Sequence, residues 1–336
     1  MKYTKPLVIG LAAGVALAVS GAAVSQEQRV RVLTAPTGTI VHTTGSAIAS
    51  VVSQKTDLTV LATPMAGPQV FIPQINNGQG EFTLLNAADS FEALRGGTGY
   101  NAPQKNLRLA AVGFTNELGM LVRRDSDIRT AEDVKGRRVT GVFSAHKTCE
   151  QLSNAQLGNL GLTWDDVNVI PVTHSRTAVQ ALAEGRADVA MCVPLGQPVV
   201  QELNAQTPIR FLSMVDSADA VERARAAFPA GQIRHYEAGA NVGVVDAVNV
   251  WSYPFYLLAH EGVSDDLVYK VVSAVSSNVE DLRGISGVFK RWIPENMIDA
   301  DITLPVHGGA KRFYEEQGMW NADIQKAHEK NLRDAQ

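Results

Sequence analysis

Cysteine is scarce: Cys149 and Cys192 are the only two in 336 residues. With His146 they leave any metal site short of ligands at a recognised spacing, so no metal and no cofactor are expected. Long apolar runs are equally lacking. Beyond the first 25 residues none reaches the length of a bilayer span. Basic excess is absent, with 30 Lys and Arg against 34 Asp and Glu. No basic stripe offers itself to a phosphate backbone, which excludes nucleic acid as a partner. No G-x-S-x-G or similar strand–turn–helix context surrounds Ser144, His146 or Cys149, so a hydrolase reading has little to stand on. Aromatics make up only 6% of a chain that is 45% apolar. That balance suits an α/β protein of one large or two ordinary domains with ample length for a core.

The N-terminus supplies what the rest lacks. Lys2 and Lys5 precede the apolar stretch Leu7–Val19, and Ala23-Val24-Ser25 follow as small residues. This is the layout of a secretory signal peptide over residues 1–25, and it predicts a periplasmic protein. Loss of both lysines takes the formal charge from −4 to about −6. In an oxidising compartment Cys149 and Cys192 are candidates for a disulfide, with two separate buried thiols as the alternative.

The mature chain is organised around residues 30–54. Val30, Val32 and Leu33 read as a short buried strand, Thr34 to Thr39 as a loop of small hydroxylated residues, and Thr43 to Val52 as a helix. Such a unit aims free helix N–H groups into the loop, where negative charge is favoured. A second unit of this kind spans Arg138 to Leu160. Each is followed some fifty residues later by a turn and a strand, at Asn77–Phe82 and Ala183–Asp188. Two lobes of like topology would give this order.

Further strands are expected at Thr59–Thr63, Phe82–Leu85, Leu107–Phe114, Leu118–Arg123, Val169–Val172, Ala187–Cys192, Pro208–Val215 and Trp251–Ala259. Phe228–Val248 reads as irregular. Helices are expected after Ser175 and after Ser264, which suits a cap. The middle block can form its own sheet, with the strand before it and the run Asn249–His260 crossing between lobes. The predicted organisation is lobe one from residues 26–122 plus 249–336, and lobe two from 123–248. The hinge between them is a common place for a ligand.

The order of segments resembles the TAXI subfamily of TRAP-transporter solute receptors over most of the mature chain. Thr37-Gly38 and Gly45 match a glycine-rich signature, Asn77–Asp89 a G-x-x-D-F-x-L-x-Q-S-D region, and Ala181–Val193 an L-x-x-G-x-x-D-A segment. The words DLVY (266–269) and HGGAKRFY (307–314) are the most distinctive. There are departures. Thr39 stands where glycine is usual, and Val41-His42 where tyrosines are. Ser144-Ala145-His146-Lys147-Thr148 replaces Pro-Gly-Ser-Gly-Thr, keeping only the threonine. The resemblance implies a type II periplasmic-binding-protein-like fold, two α/β sheets joined by a hinge with a ligand cleft between. It implies no catalysis, a small organic anion (carboxylate or amino-acid-like) as ligand, and TRAP permease subunits as partners of a monomer. A ligand-sensing partner of a membrane sensor kinase and a periplasmic enzyme remain the alternatives.

Thr37, Gly38 and Thr39 can offer hydroxyls and N–H groups to an oxyanion, beside His42. Ser144, His146, Lys147 and Thr148 precede the second helix, and Lys147 would act as a point charge for an anion. Asn86 follows a strand's carboxyl end, where α/β clefts open. Asp89 reads as a helix-start residue. His174, with Thr173 and Arg176, also follows a strand. Asn249, Trp251 and Tyr253 lie on the return crossing, as an aromatic wall for the ligand or as core.

Overall fold

In the computed structural model the described residues are 1–2 and 29–336, apart from residues 38, 98, 131, 145, 146, 197 and 230 and the side chain of Pro198. The expected signal peptide therefore lies almost wholly outside the described residues. The chain alternates β1 (Arg29–Thr34), α1 (Ile40–Lys55), β2 (Thr59–Pro64), α2 (Pro68–Asn76), β3 (Phe82–Asn86), α3 (Ala87–Arg95) and β4 (Leu107–Arg123). It continues through β5 (Arg138–Gly141), α4 (Lys147–Asn159), β6 (Asn168–Pro171), α5 (Ser175–Ala183), β7 (Ala190–Pro194), α6 (Pro198–Gln206), β8 (Ile209–Leu212) and α7 (Ala218–Ala227). Then come β9 (Gln232–Tyr236), β10 (Val248–His260), α8 (Asp265–Ser277), α9 (Val279–Ile285), α10 (Gly308–Glu316) and α11 (Ala322–Ala335).

Local chemistry explains many of these boundaries. Thr39 caps α1, its hydroxyl accepting from His42 N at 3.2 Å. Ser264 and Asn321 do the same for α8 and α11. Gly96 and Gly185, both at positive φ, follow the ends of α3 and α5. Gly45 lets α1 lie close on the sheet, since a Cβ there would sit 2.5 Å from Thr34 Cγ2.

The sheet runs β2-β1-β3-β10-β4-β7, with β8 also on β4 and β9 also on β10. β1, β2 and β3 are parallel, whereas β10 is antiparallel to both β3 and β4. The first part of β4 pairs with β10 and bridges to Val306, and its last part, Leu118–Arg123, pairs with β7 and β8. At the start of β10, Val248–Ser252 pair with β9. Two long strands therefore run through both lobes, and the two half-sheets share one ladder. β5 and β6 form a parallel pair, joined to the β7 side by a bridge between Val139 and Val189. This is the two-lobed α/β fold expected from the sequence. β10 is buried along nearly its whole length, as a strand covered on both faces must be.

Three expectations need correction. Leu107–Phe114 and Leu118–Arg123 are one strand of 17 residues. The polar Asn116 and Glu117 that suggested a break are satisfied by Tyr253 and Arg291. Residues 228–248 are not irregular throughout, because β9 gains an antiparallel partner in β10. The terminal α11 had no counterpart in the sequence reading.

Candidate ligand cleft

The loops after β1 and β3 leave the same end of a parallel pair, and so do those after β5 and β6. Carboxyl ends of parallel strands are where clefts of α/β proteins open. The link between the two sets is Asp89 in the first turn of α3. The Asn86 side chain caps that helix, its Oδ1 accepting from Asp89 N at 2.8 Å and its Nδ2 donating to Asp89 Oδ2 at 2.7 Å. Thr148, in the first turn of α4, lies near enough to the same carboxylate to favour its charged form. One acidic group is thus addressed by both sides of the cleft.

The electrostatics of Asp89 are unusual for a helix-start residue. The protein packed around its carboxyl group raises its pKa above the ordinary 3.8, and the charge of Glu92 adds to the rise. The hydrogen bond from Asn86, with Thr148 nearby, acts in the opposite sense. Among the described residues no Lys, Arg or His contributes to its stabilisation. Two phenols stand nearby. Burial pushes the pKa values of Tyr100 and Tyr253 upward, and the Asp89 charge reinforces both shifts. The Tyr253 hydroxyl accepts from Asn116 Nδ2 at 2.8 Å, which joins the two crossing strands at the base of the cleft. The Tyr100 hydroxyl is buried without a hydrogen-bond partner.

The α4 side is anchored covalently. Cys149 and Cys192 form a disulfide with Cα atoms 5.5 Å apart, fixing the first turn of α4 to β7. Val142, just after β5, and Cys192 are the two non-glycine residues at positive φ among the described residues. Backbone held in this region is costly and concentrates at functional sites. Both residues flank the approach to α4.

The residues singled out in the sequence fall into distinct groups. Thr37 is exposed on the loop after β1 and Thr39 caps α1. His42 is held at both ring nitrogens, Nδ1 by Thr34 Oγ1 at 2.9 Å and Nε2 by Ser46 Oγ at 3.4 Å. Asn86 and Thr148 meet through Asp89. Gly38 and His146 lie outside the described residues. Ser144 is exposed, its N–H donating to Val172 O. Lys147 is 68% exposed and pairs with Glu150 at 2.9 Å, within its own helix turn. His174 caps α5 by accepting from Thr177 N at 3.4 Å. Asn249 is engaged with His235 at 3.0 Å and with Ser213, away from Asp89's partners. Trp251 is fully buried against Gly231 and serves the core. Asp89, Tyr100 and Asn116 were not chosen as site residues in the sequence. The only signal for Asp89 was its position after a strand end, which the helix-start reading absorbed.

Residues 32–318 match the family model of the NMT1-like family. The chain belongs to that family. This NMT1-like chain is similar in fold to the periplasmic aliphatic sulphonate binding protein SsuA from Escherichia coli. The identity is 14%, the match covers 91% of this chain and 98% of that one, and the TM-score is 0.51. It is also similar to a TctC solute binding protein from Polaromonas, at 13% identity, 93% and 96% coverage and a TM-score of 0.53. At these identities the likeness speaks for the fold, and both structures are of solute-binding proteins. The NMT1-like match encloses every loop described above, from the end of β1 through α10.

Proposed function

We propose that the protein is a periplasmic solute receptor of the TAXI type, which captures a small organic anion and delivers it to a TRAP membrane permease as a monomer, without turnover. We take residues 26–122 with 249–336 as one lobe and 123–248 as the other, hinged on β4 and β10. The observation that carries this reading is the Asp89 carboxylate, hydrogen-bonded by Asn86 on one proposed lobe and neighboured by Thr148 on the other. A group that both lobes reach only when they approach is the kind of contact by which a ligand stabilises a closed state. The helix starts at Thr39 and Thr148 favour the anionic end of a ligand. Asp89, half-buried and without a paired cation among the described residues, favours a cationic end, because a desolvated carboxylate is stabilised by a paired charge. Together they favour the amino-acid-like branch of the organic anions. Thr37, Thr39, His42, Ser144 and His174 are the proposed rim, and Asn86, Asp89, Thr148 and Tyr253 the proposed floor.

The disulfide supports an oxidising compartment, as does the signal-peptide pattern of the first 25 residues. The experiment is a thermal-unfolding series of the exported protein across amino acids, oxo-acids, other carboxylates and sulfonates, with each compound recovered afterwards. A midpoint raised by one class, with the compound unchanged, is the expected result. A compound consumed would make the protein an enzyme.

A further inference from the structure

On the other face of the β4–β10 crossing lies a second cavity of about 320 Å³. Neighbouring residues of a strand point to opposite faces. Asn116 and Tyr253, a cross-strand pair, share the Asp89 side. Thr115 and Pro254, the adjoining pair, line the second cavity. Its rim comes from two distant segments. β9 provides Gln232 and Arg234, while the stretch after α9 provides Lys290, Arg291 and Asn296.

The charges in this cavity are ordered. Glu117, only 2% exposed, holds Arg291 at 2.7 Å and accepts from Thr115 Oγ1 at 2.5 Å. The Arg234 guanidinium lies 5.9 Å from the centre of the Tyr236 ring, whose phenol feels the charges of Glu117 and Arg291, so these side chains form one cluster. Among the described residues neither Arg234 nor Lys290 belongs to an ion pair. Two acids, Asp299 and Asp301, share the rim, and neither forms an ion pair with Arg234 or Lys290. Asp301 faces Arg225 at 3.7 Å, and Asp299 accepts from Asp301 N at 2.8 Å.

We propose that this cavity is a second ligand site, for a compact oxyanion held by Arg234 and Lys290 with the amides of Gln232 and Asn296, beside Arg291 that Glu117 holds in place. Guanidinium and ammonium groups converging with neutral amides suit a phosphate, sulfate or small carboxylate group. Because its rim draws on both proposed lobes, an anion here ties them across the back of the hinge and biases their relative position.

The test uses inorganic phosphate as the probe and the thermal midpoint of the exported protein as readout. Ionic strength is held constant with chloride, so that general screening drops out. At roughly tenfold its Kd, phosphate raises the midpoint by about 2 °C. The rise disappears in the Arg234→Gln, Lys290→Gln double variant and in Lys290→Glu alone, and it persists in Thr148→Val. Both altered positions are exposed, so the fold tolerates the changes. A midpoint that phosphate moves no further than chloride does overturns the proposal. So does a rise that survives the double variant, or one that Thr148→Val removes.

Discussion

Thr148 and the Asp89 carboxylate are neighbours, one in the first turn of α4 and the other in the first turn of α3. The contact gives the cleft a defined charge. It also separates two threonine roles that the sequence treats alike. Thr39 completes its own helix cap, whereas Thr148 neighbours an acid of another helix.

The raised pKa of Asp89, caused first by burial, has a definite consequence for the empty protein. In the unfolded chain this group titrates near 3.8. Between that value and its raised folded value, the folded state holds more protons, so unfolding free energy falls as pH rises. The destabilisation is complete above the folded value. Asp89→Asn removes it while keeping an acceptor for Asn86. The variant's unfolding midpoint should exceed that of the wild type at neutral pH, and the gap should shrink toward pH 3. Parallel pH profiles for the two proteins would contradict this.

Thr148 and Lys147 are neighbours with different fates. Thr148→Val removes the hydroxyl beside Asp89 that favours the charged carboxylate, and should weaken solute binding about tenfold. Lys147 spends its charge on Glu150. An exposed pair of this kind contributes at most about 1 kcal/mol. Lys147→Ala should therefore leave affinity within about twofold and the midpoint nearly unchanged, as calorimetry and thermal unfolding can show. The reverse ranking would return Lys147 to the site.

The disulfide closes a span of 43 residues between α4 and β7. Loop-closure entropy for such a span is worth roughly 3–4 kcal/mol. Replacing both cysteines with alanine should cost about that much in denaturant unfolding. Reductant should lower the wild-type midpoint and leave the double variant unaffected. Equal sensitivity of both proteins to reductant would place the stabilisation elsewhere.

Trp251 tests the line between wall and core. Its indole is fully buried, and a Cβ on Gly231 would lie 2.0 Å from it. Trp251→Ala should cost about 3–5 kcal/mol of stability through the cavity it leaves. Solute affinity per folded molecule should stay the same. A folded variant that had lost affinity would put the indole back in the cleft.

The layout of the fold was legible because it rests on local patterns. The strand of Val30 and Val32, the body of α1 and the cap at Ser264 are written in adjacent residues. β4 was not, since Asn116 and Glu117 find their partners 137 and 174 residues away. The site was legible only in part for the same reason. Asn86 and Thr148 stood out by position after strands. Asp89 looked like an ordinary first-turn acid, and only tertiary packing gives it Thr148 and burial. Lys147 drew notice by its charge, which the helix itself satisfies at i,i+3.

The central claim is that a cleft addressed by both lobes takes a solute whose cationic end meets Asp89. The most direct measurement is calorimetry of an amino acid against the oxo-acid that differs from it only at the ammonium, with wild type and Asp89→Asn. The account predicts that the wild type binds the amino acid at least about tenfold more tightly, a difference of 1.4 kcal/mol, and that Asp89→Asn abolishes this preference. Equal affinity of the wild type for both compounds, or a preference that survives in Asp89→Asn, would contradict it.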